Sequence, residues 1–193
     1  MWSSEVTNMI ITGIWETLYM TLVSTLVGYV IGLPMGIILT VSDKDGIKPN
    51  AVLYKILDVI ANIVRSVPFI ILLVLLIPFT RLVVGKSYGS TATIVPLVIA
   101  AAPYIARMVE SSLKEVDAGV IEAARSMGAS NFTIITKVML VEARTSLLVG
   151  ATITLGTILG YSAMSGAVAG GEQAERTQND KEYSDKKQQK RIQ

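Results

Sequence analysis

The sequence contains no cysteine and no histidine, and these absences exclude several classes of function. Without cysteine the chain has no disulfide framework, no thiolate nucleophile and no iron–sulfur cluster. Without histidine it has neither a triad base nor an imidazole metal ligand. The net charge of +2 is too small to favour nucleic acid as a partner. We therefore expect neither an enzyme nor a nucleic-acid-binding protein.

Charged residues are scarce over most of the chain. The 193 residues include 17 Lys and Arg and 15 Asp and Glu, but 11 of these lie in residues 170–193. Only 21 remain in the first 169 residues, well below the roughly 25% that is typical of soluble domains. The composition predicts a membrane domain over residues 1–169 and a charged tail over residues 170–193. We expect the tail to be disordered because it has little apolar surface to bury.

Four long segments lack charge altogether: residues 17–42, 66–80, 87–106 and 145–171. A helix needs about 20 apolar residues to cross the hydrocarbon core, so three of these segments suffice by themselves. The segment 66–80 spans only if residues 59–64 extend it and the flanking arginines reach the interfaces. The sequence therefore predicts an all-α polytopic membrane helix bundle with four transmembrane helices.

The connecting segments differ in their Lys and Arg content. Residues 43–65 carry four and residues 107–144 carry five, whereas residues 1–16 carry none and residues 81–86 carry two. Because cytoplasmic loops are enriched in these residues, we predict a multi-pass membrane protein with its N-terminus outside and both long loops in the cytoplasm. The fourth helix then delivers the tail to the outside, where its six Lys and Arg do not fit the rule.

Glycines recur at intervals of four in two of the predicted helices. Gly28, Gly32 and Gly36 lie on one face of the first, and Gly156 and Gly160 lie on one face of the fourth. Small residues at this spacing let two helix backbones approach closely in lipid. The pattern predicts close helix packing in both places, and a lightly packed pore wall is the alternative.

The second predicted cytoplasmic loop carries helix-end signals. Asp117 can cap a helix by accepting from a free backbone N–H, and Gly128 suits the left-handed position just past a helix end. Ser130 or Asn131 can cap a following helix over residues 132–140. We predict two short cytoplasmic helices joined at a glycine. Ala123 and Ala124 should form a face of little bulk that fits closely into a groove of another protein.

The run EAARSMG at residues 122–128 resembles the coupling motif of the permease subunits of ABC importers. The runs WETL at 15–18, RSVPF at 65–69 and GYSAM at 160–164 resemble the permeases of methionine importers in particular. The resemblance extends from about residue 15 to residue 170. It implies a function in ATP-driven import of an amino acid, methionine in its D or L form.

The resemblance also implies partners and site residues. In that family two permease copies form the pathway, two cytoplasmic ATP-binding subunits drive it, and an extracytoplasmic binding protein delivers the solute. ATP is then bound by the partner, and this chain needs no cofactor of its own. The residues implied for ATPase coupling are Glu122, Ala123, Ala124 and Gly128. Those implied to line the pathway are Tyr161, Ser162, Ala163, Met164 and Gly166.

Two departures from the family pattern affect these expectations. The chain has Val141 where the family usually has proline, and Arg144 to Ser146 replace small or apolar residues. Without the proline, the second loop helix should continue through Val141 and reorient the start of the fourth span. After Gly170 the family continues into a fifth span, but here the charged tail follows.

Three interpretations remain open from the sequence. The chain is either a working permease subunit or a truncated or frameshifted remnant that inserts but does not transport. A membrane scaffold whose loop binds a partner other than an ATPase is the third hypothesis.

Overall fold

The computed structural model describes residues 4–86, 89–166 and 168 of the chain, and these residues form helices with short connections and no strand. In chain order the helices are α1 (Ser4–Ser42), α2 (Ala51–Ser66), α3 (Phe69–Leu75), α4 (Ile77–Val84), α5 (Ser90–Lys114), α6 (Ala118–Ser126), α7 (Asn131–Thr133), α8 (Leu140–Glu142) and α9 (Arg144–Gly166), with a π-helical segment (Ile134–Met139) between α7 and α8. The all-α class predicted from the sequence is confirmed.

Three of these helices are long and apolar enough to cross a membrane, and a bent pair of helices raises the count to four. The first span begins well before residue 17, because α1 has 39 residues and a length of about 58 Å. The third predicted span continues as a helix past residue 106 to Lys114. The charged residues of its last turns form ion pairs, so they do not end the helix. The count of four therefore agrees with the prediction, whereas several boundaries differ.

The second predicted span is interrupted. Helices α2 and α3 meet at an angle of 100° across Val67 and Pro68. Val67 has an extended backbone, as expected for a residue that precedes proline. Residues 51–58, which the charge pattern assigned to a loop, and residues 59–64, which were expected to extend the second span, together form most of α2, whose start is capped by Asn50. The loop assignment was wrong because the charged residues of this segment lie at helical spacing among apolar ones.

Helices α1 and α5 pack along the first glycine stripe. A Cβ atom added at Gly32 would lie 2.6 Å from the Ala102 carbonyl oxygen, and one at Gly36 would lie 2.5 Å from that of Ala106. Such distances are shorter than van der Waals contact, so only glycine fits at these positions. The close-packing interpretation of this stripe is confirmed.

The second glycine stripe behaves differently. Gly156 and Gly160 are exposed, and a Cβ atom added at either would have no neighbour within 4 Å among the described residues. The prediction that they repeat the packing of the first stripe is wrong within this part of the chain. The opposite face of α9 makes the contacts instead, through the fully buried Thr154 and Ile158.

The tail at residues 170–193 lies outside the described residues, so the division at residue 169 and the expected disorder of the tail stay predictions. The buried core of the described part includes Leu97, Ile105 and Val109 of α5, together with Ile134 and Ile158. Helix α5 is thus the central element, and the loop that follows it is fixed to the core.

Candidate functional site

The predicted loop motif forms a short capped helix. The Asp117 side chain accepts a hydrogen bond from the Gly119 backbone N–H at 2.7 Å, which caps the start of α6. Gly128 has φ +80° just after the helix, and the Ala129 N–H returns to the Ala124 carbonyl at 3.1 Å. The positive φ is costly for any residue with a Cβ atom. Both end signals of α6 are confirmed.

The second loop helix begins as predicted and runs further. Ser130 caps α7 by accepting from the Thr133 N–H at 3.3 Å. The helical path then passes through the π-helical segment and through Val141 in α8, and only Ala143 interrupts it before Arg144. The expected continuation through Val141, in the absence of a proline, is confirmed.

The two alanines of the motif face different ways. Ala124 is 5% exposed and belongs to the core, whereas Ala123 and Glu122 are exposed. The expectation that both alanines form one outward face was therefore wrong. Successive residues of an α-helix point about 100° apart, so neighbouring positions cannot share a face fully. Ala124 anchors α6 to the protein, and Ala123 is left for an external contact.

An exposed apolar patch surrounds Ala123. Val120, Met127 and Phe132 of this loop are 41%, 81% and 77% exposed, and we use the term loop patch for these three residues together with Ala123. Residues 120, 123 and 127 fall on one face of a helix. Sequence reasoning missed this patch, although apolar residues at that spacing in a loop outside the spans were a usable signal. Exposed apolar surface is typical of sites that contact another protein or a membrane.

A cavity of about 440 Å³ separates α6 from the segment that follows α1. Glu122 lines it together with Arg125, Lys114 and Asp43. Among the described residues Glu122 forms no ion pair, and Arg125 reaches the Ile47 carbonyl oxygen at 3.5 Å. The two loops predicted to be cytoplasmic therefore lie together at one end of the bundle.

A second polar site joins α1, α2 and α5 at the same end, and we term it the charge cluster. Its members are Asp43, Tyr54, Asp58, Asn62, Arg107, Glu110 and Lys114. Glu110 is 5% exposed and accepts from Arg107 at 2.7 Å and from Lys114 at 2.8 Å. A hydrogen bond from Lys114 lowers the pKa of Asp43 below its ordinary value. Sequence reasoning treated these charges only as loop markers.

The stretch expected to line the pathway lies in the last turns of α9. Tyr161 is half-buried and stacks on Phe69, with ring centroids 4.6 Å apart and planes 6° apart. Ser162 is buried and donates to the Leu159 carbonyl at 2.8 Å. Ala163, Met164 and Gly166 are exposed. The end of α9 therefore exposes two small residues and a methionine beside the stacked rings of Phe69 and Tyr161.

A family model described as "Binding-protein-dependent transport system inner membrane component" matches residues 32–185. This chain belongs to that family. The match covers the charge cluster, the loop patch and the aromatic pair, and it extends into the charged tail. The chain is accordingly a multi-pass inner-membrane component of a transport system, as its resemblance to importer permeases implied.

Curated relatives are similar over most of the chain. The D-methionine transport system permease protein MetI of Salmonella typhimurium is 55% identical over 158 residues, which are 82% of this chain and 73% of that protein. The probable D-methionine transport system permease protein MetI of Vibrio cholerae is 47% identical over 170 residues, 88% of this chain and 76% of its own.

Chains from solved structures of ABC transporters also match this chain. A chain of the MetNI methionine ABC transporter in inward-facing conformations matches with a TM-score of 0.85 and 54% identity, over 87% of this chain and 78% of its own. A chain from an amino acid ABC transporter matches with a TM-score of 0.68 at 24% identity, over 85% of this chain and 73% of its own. The second likeness concerns the fold alone.

Proposed function

We propose that this chain is the membrane-spanning subunit of an ABC importer that takes up methionine, in the D or L form, with ATP hydrolysed by a partner. The observation that carries the proposal is the 54% identity, at a TM-score of 0.85, to a chain of a methionine ABC transporter. The 55% identical permease from Salmonella typhimurium, named for D-methionine, supports the same solute.

The coupling contact is assigned to the loop patch together with the exposed Glu122 and Gly128. Glu122, Ala123 and Gly128 lie on the exposed side of α6 and its end, so they can meet a groove of an ATP-binding subunit. Ala124 does not contact the partner itself. It is buried against the core, so it holds α6 in position. ATP and its hydrolysis then belong to two copies of that subunit, and this chain has no catalytic role and needs no cofactor.

The pathway is assigned to the end of α9 at the centre of a homodimer. Ala163, Met164 and Gly166 leave a surface of small and apolar groups that no described residue covers, beside Tyr161 and the buried Ser162. An extracytoplasmic binding protein delivers the solute to this surface. Membrane lipid covers the remaining apolar faces of α1 and α9.

Docking of the loop patch is tested by Phe132→Asp. Phe132 is 77% exposed, so its replacement leaves the fold intact but places a charge in an apolar contact. We expect affinity for the ATP-binding subunit to fall roughly 10-fold or more, measured by co-purification and titration of the two proteins in detergent. Val141→Asp in α8, also exposed and outside the membrane spans, is the control for a charge outside the patch. Equal affinity of Phe132→Asp and the parent chain would contradict the assignment.

Uptake of labelled methionine by cells whose own importer permease is deleted separates the three hypotheses. A working subunit restores uptake and binds the ATP-binding subunit. A remnant binds that subunit without restoring uptake. A scaffold with a different partner does neither.

A further inference from the structure

Helix α2 has little apolar contact with the rest of the protein. Ala61 is its one buried residue within the described chain, whereas Val52, Ile56 and Ile63 are 71%, 53% and 62% exposed. Burial of apolar side chains therefore does little to fix α2 against α5. Another interaction must hold it there.

A polar stripe on α2 provides that interaction. Tyr54, Asp58 and Asn62 follow one another at intervals of four, so they lie on one face of the helix. All three contact the Arg107 and Glu110 pair of α5, which is itself mostly buried. Asp58 forms an ion pair with Arg107, the Asn62 oxygen accepts from Arg107 at 3.1 Å, and the Tyr54 hydroxyl donates to Glu110 at 3.3 Å.

The same cluster continues toward the end of α5. The Lys114 ammonium lies 2.8 Å from Glu110 and 2.7 Å from Asp43, which follows α1. Lys114 is the last residue of α5, and α6 with the loop patch begins four residues later. A displacement of the loop therefore reaches the charge cluster through the last turns of one helix.

The far end of α2 leads to the aromatic pair. Beyond the 100° bend the chain enters α3 at Phe69, whose ring stacks on Tyr161.

The Arg107 Nε atom is buried and has no hydrogen-bond partner among the described residues, so one donor of the guanidinium is unsatisfied. Buried polar atoms are usually paired. The Arg107 guanidinium therefore has one donor left for a further acceptor.

We propose that Asp58 and Arg107 are positioning residues that tie α2 to α5 and so transmit displacement of the coupling loop through α2 to the Phe69–Tyr161 pair. The transport part of this inference rests on the proposed function. The tie itself is a property of the isolated chain. It uses long side chains that can exchange partners, so it can be released and remade without unpacking the apolar core.

The tie is tested by spin-label distances in the full chain. The sequence has no cysteine, so Val52→Cys on α2 and Ser111→Cys on α5, both exposed, are the sole labelled positions. Dilution with unlabelled chain removes distances between copies. We expect a single narrow distribution in the parent and in Asp58→Glu, and loss of that narrow maximum in Asp58→Ala. Asp58→Asn, which conserves shape, serves if Asp58→Ala is not recovered from membranes.

The matched control is Asp45→Ala. The Asp45 side chain is 83% exposed and pairs only with the equally exposed Lys44, at 3.7 Å, so its loss should leave the distribution unchanged. A distribution that superimposes on the parent, in Asp58→Ala or, where that variant is not recovered, in Asp58→Asn, would overturn the proposal. Neither arm needs an ATPase or a solute, so failure of the proposed function does not affect this result.

Transmission is tested in the complex with the ATP-binding subunit. Asp58→Ala should retain ATP hydrolysis and co-purification, while methionine uptake per ATP hydrolysed falls roughly 3- to 30-fold. Asp58→Glu should restore the ratio, which a loss of general stability would not explain. An unchanged ratio in Asp58→Ala contradicts transmission through α2. Absence of uptake by the parent chain itself is a failure of the proposed function.

Discussion

Helix α5 contacts α1 and α2 on two different principles. Toward α1 the backbones themselves approach, because Gly32 and Gly36 leave no side chain between the helices. Toward α2, whose one fully buried residue among those described is Ala61, charged side chains such as Arg107 and Asp58 form much of the contact. The first contact depends on many weak dispersion interactions between closely packed atoms, which cannot exchange one partner for another. The second is made by a few strong polar contacts that depend on side-chain rotamers.

The difference indicates which contact can move. The glycine contact loses about a quarter to a half of its dispersion attraction when the helices separate by about an ångström, since dispersion falls steeply with distance. An ion-pair cluster tolerates such a shift, because Arg107 and Lys114 have several acceptors within reach. The α1–α5 pair therefore serves as the rigid frame, and α2 serves as the adjustable element between the loop patch and the aromatic pair.

The largest expected effect comes from breaking the rigid contact. In Gly32→Leu the new Cβ atom meets the Ala102 carbonyl at 2.6 Å, and backbone atoms cannot give way as a side chain can. We expect destabilisation of about 3 kcal/mol or more, the upper end for overpacking. Thermal unfolding of the detergent-solubilised protein measures it.

The chain supplies a matched control in Gly156→Leu. The substitution is chemically the same, but nothing lies within 4 Å of the new Cβ atom among the described residues. We expect a change within about 0.5 kcal/mol, as for exposed positions. Similar melting temperatures for the two variants would remove the distinction between a packed and an unpacked glycine stripe.

A smaller effect is expected from breaking the adjustable contact. Arg107→Met keeps the apolar stem but leaves the partly buried Asp58 without its cation, while Glu110 retains Lys114. Loss of one partner of a buried pair costs about 3–5 kcal/mol, and the residual Lys114 contact places this variant near about 3 kcal/mol or below. Lys44→Met, at an 85% exposed side chain, should cost less than about 0.5 kcal/mol. Equal unfolding free energies for the two variants would show the cluster to be solvated.

The parts of the structure that the sequence predicts are those set by neighbouring residues. The cap at Asp117, the left-handed glycine at Gly128 and the cap at Ser130 each depend on a few consecutive positions, and all three are present. The first glycine stripe is similar, since its spacing already implies a close partner. Family resemblance added the meaning of the loop.

The parts that sequence reasoning missed depend on distant pairs. Asp58 and Arg107 are 49 positions apart, and nothing near either one signals the other. Without that pair, the charges of α2 suggest a loop. The burial of Ala124 likewise depends on which side of α6 meets the core, which a single short motif does not specify. The second glycine stripe led to a different error. Its spacing permits close helix packing, but it does not show that a partner helix is present.

The smallest effect is expected at the edge of the charge cluster, where Asp43 forms an ion pair with Lys114. The Lys114 hydrogen bond holds the pKa of Asp43 below its ordinary value of 3.8, and the Lys44 backbone N–H adds a second bond at 2.7 Å. A carboxyl with a depressed pKa stabilises the fold above its unfolded pKa, and this stability is lost as pH falls through the folded value. We expect Asp43→Asn to melt slightly below the parent at about pH 6, and the difference to disappear as the pH falls through the lowered pKa of Asp43.

Asp45→Asn tests whether this pH dependence belongs to the cluster. Its carboxylate is 83% exposed and 3.7 Å from Lys44, so solvent screens the pair and no pH-dependent difference is expected. A difference for Asp43→Asn that persists at the acid end would mean that its carboxylate acts through shape, not charge. The α1 end would then belong to the rigid frame, and the adjustable contact would be confined to α2.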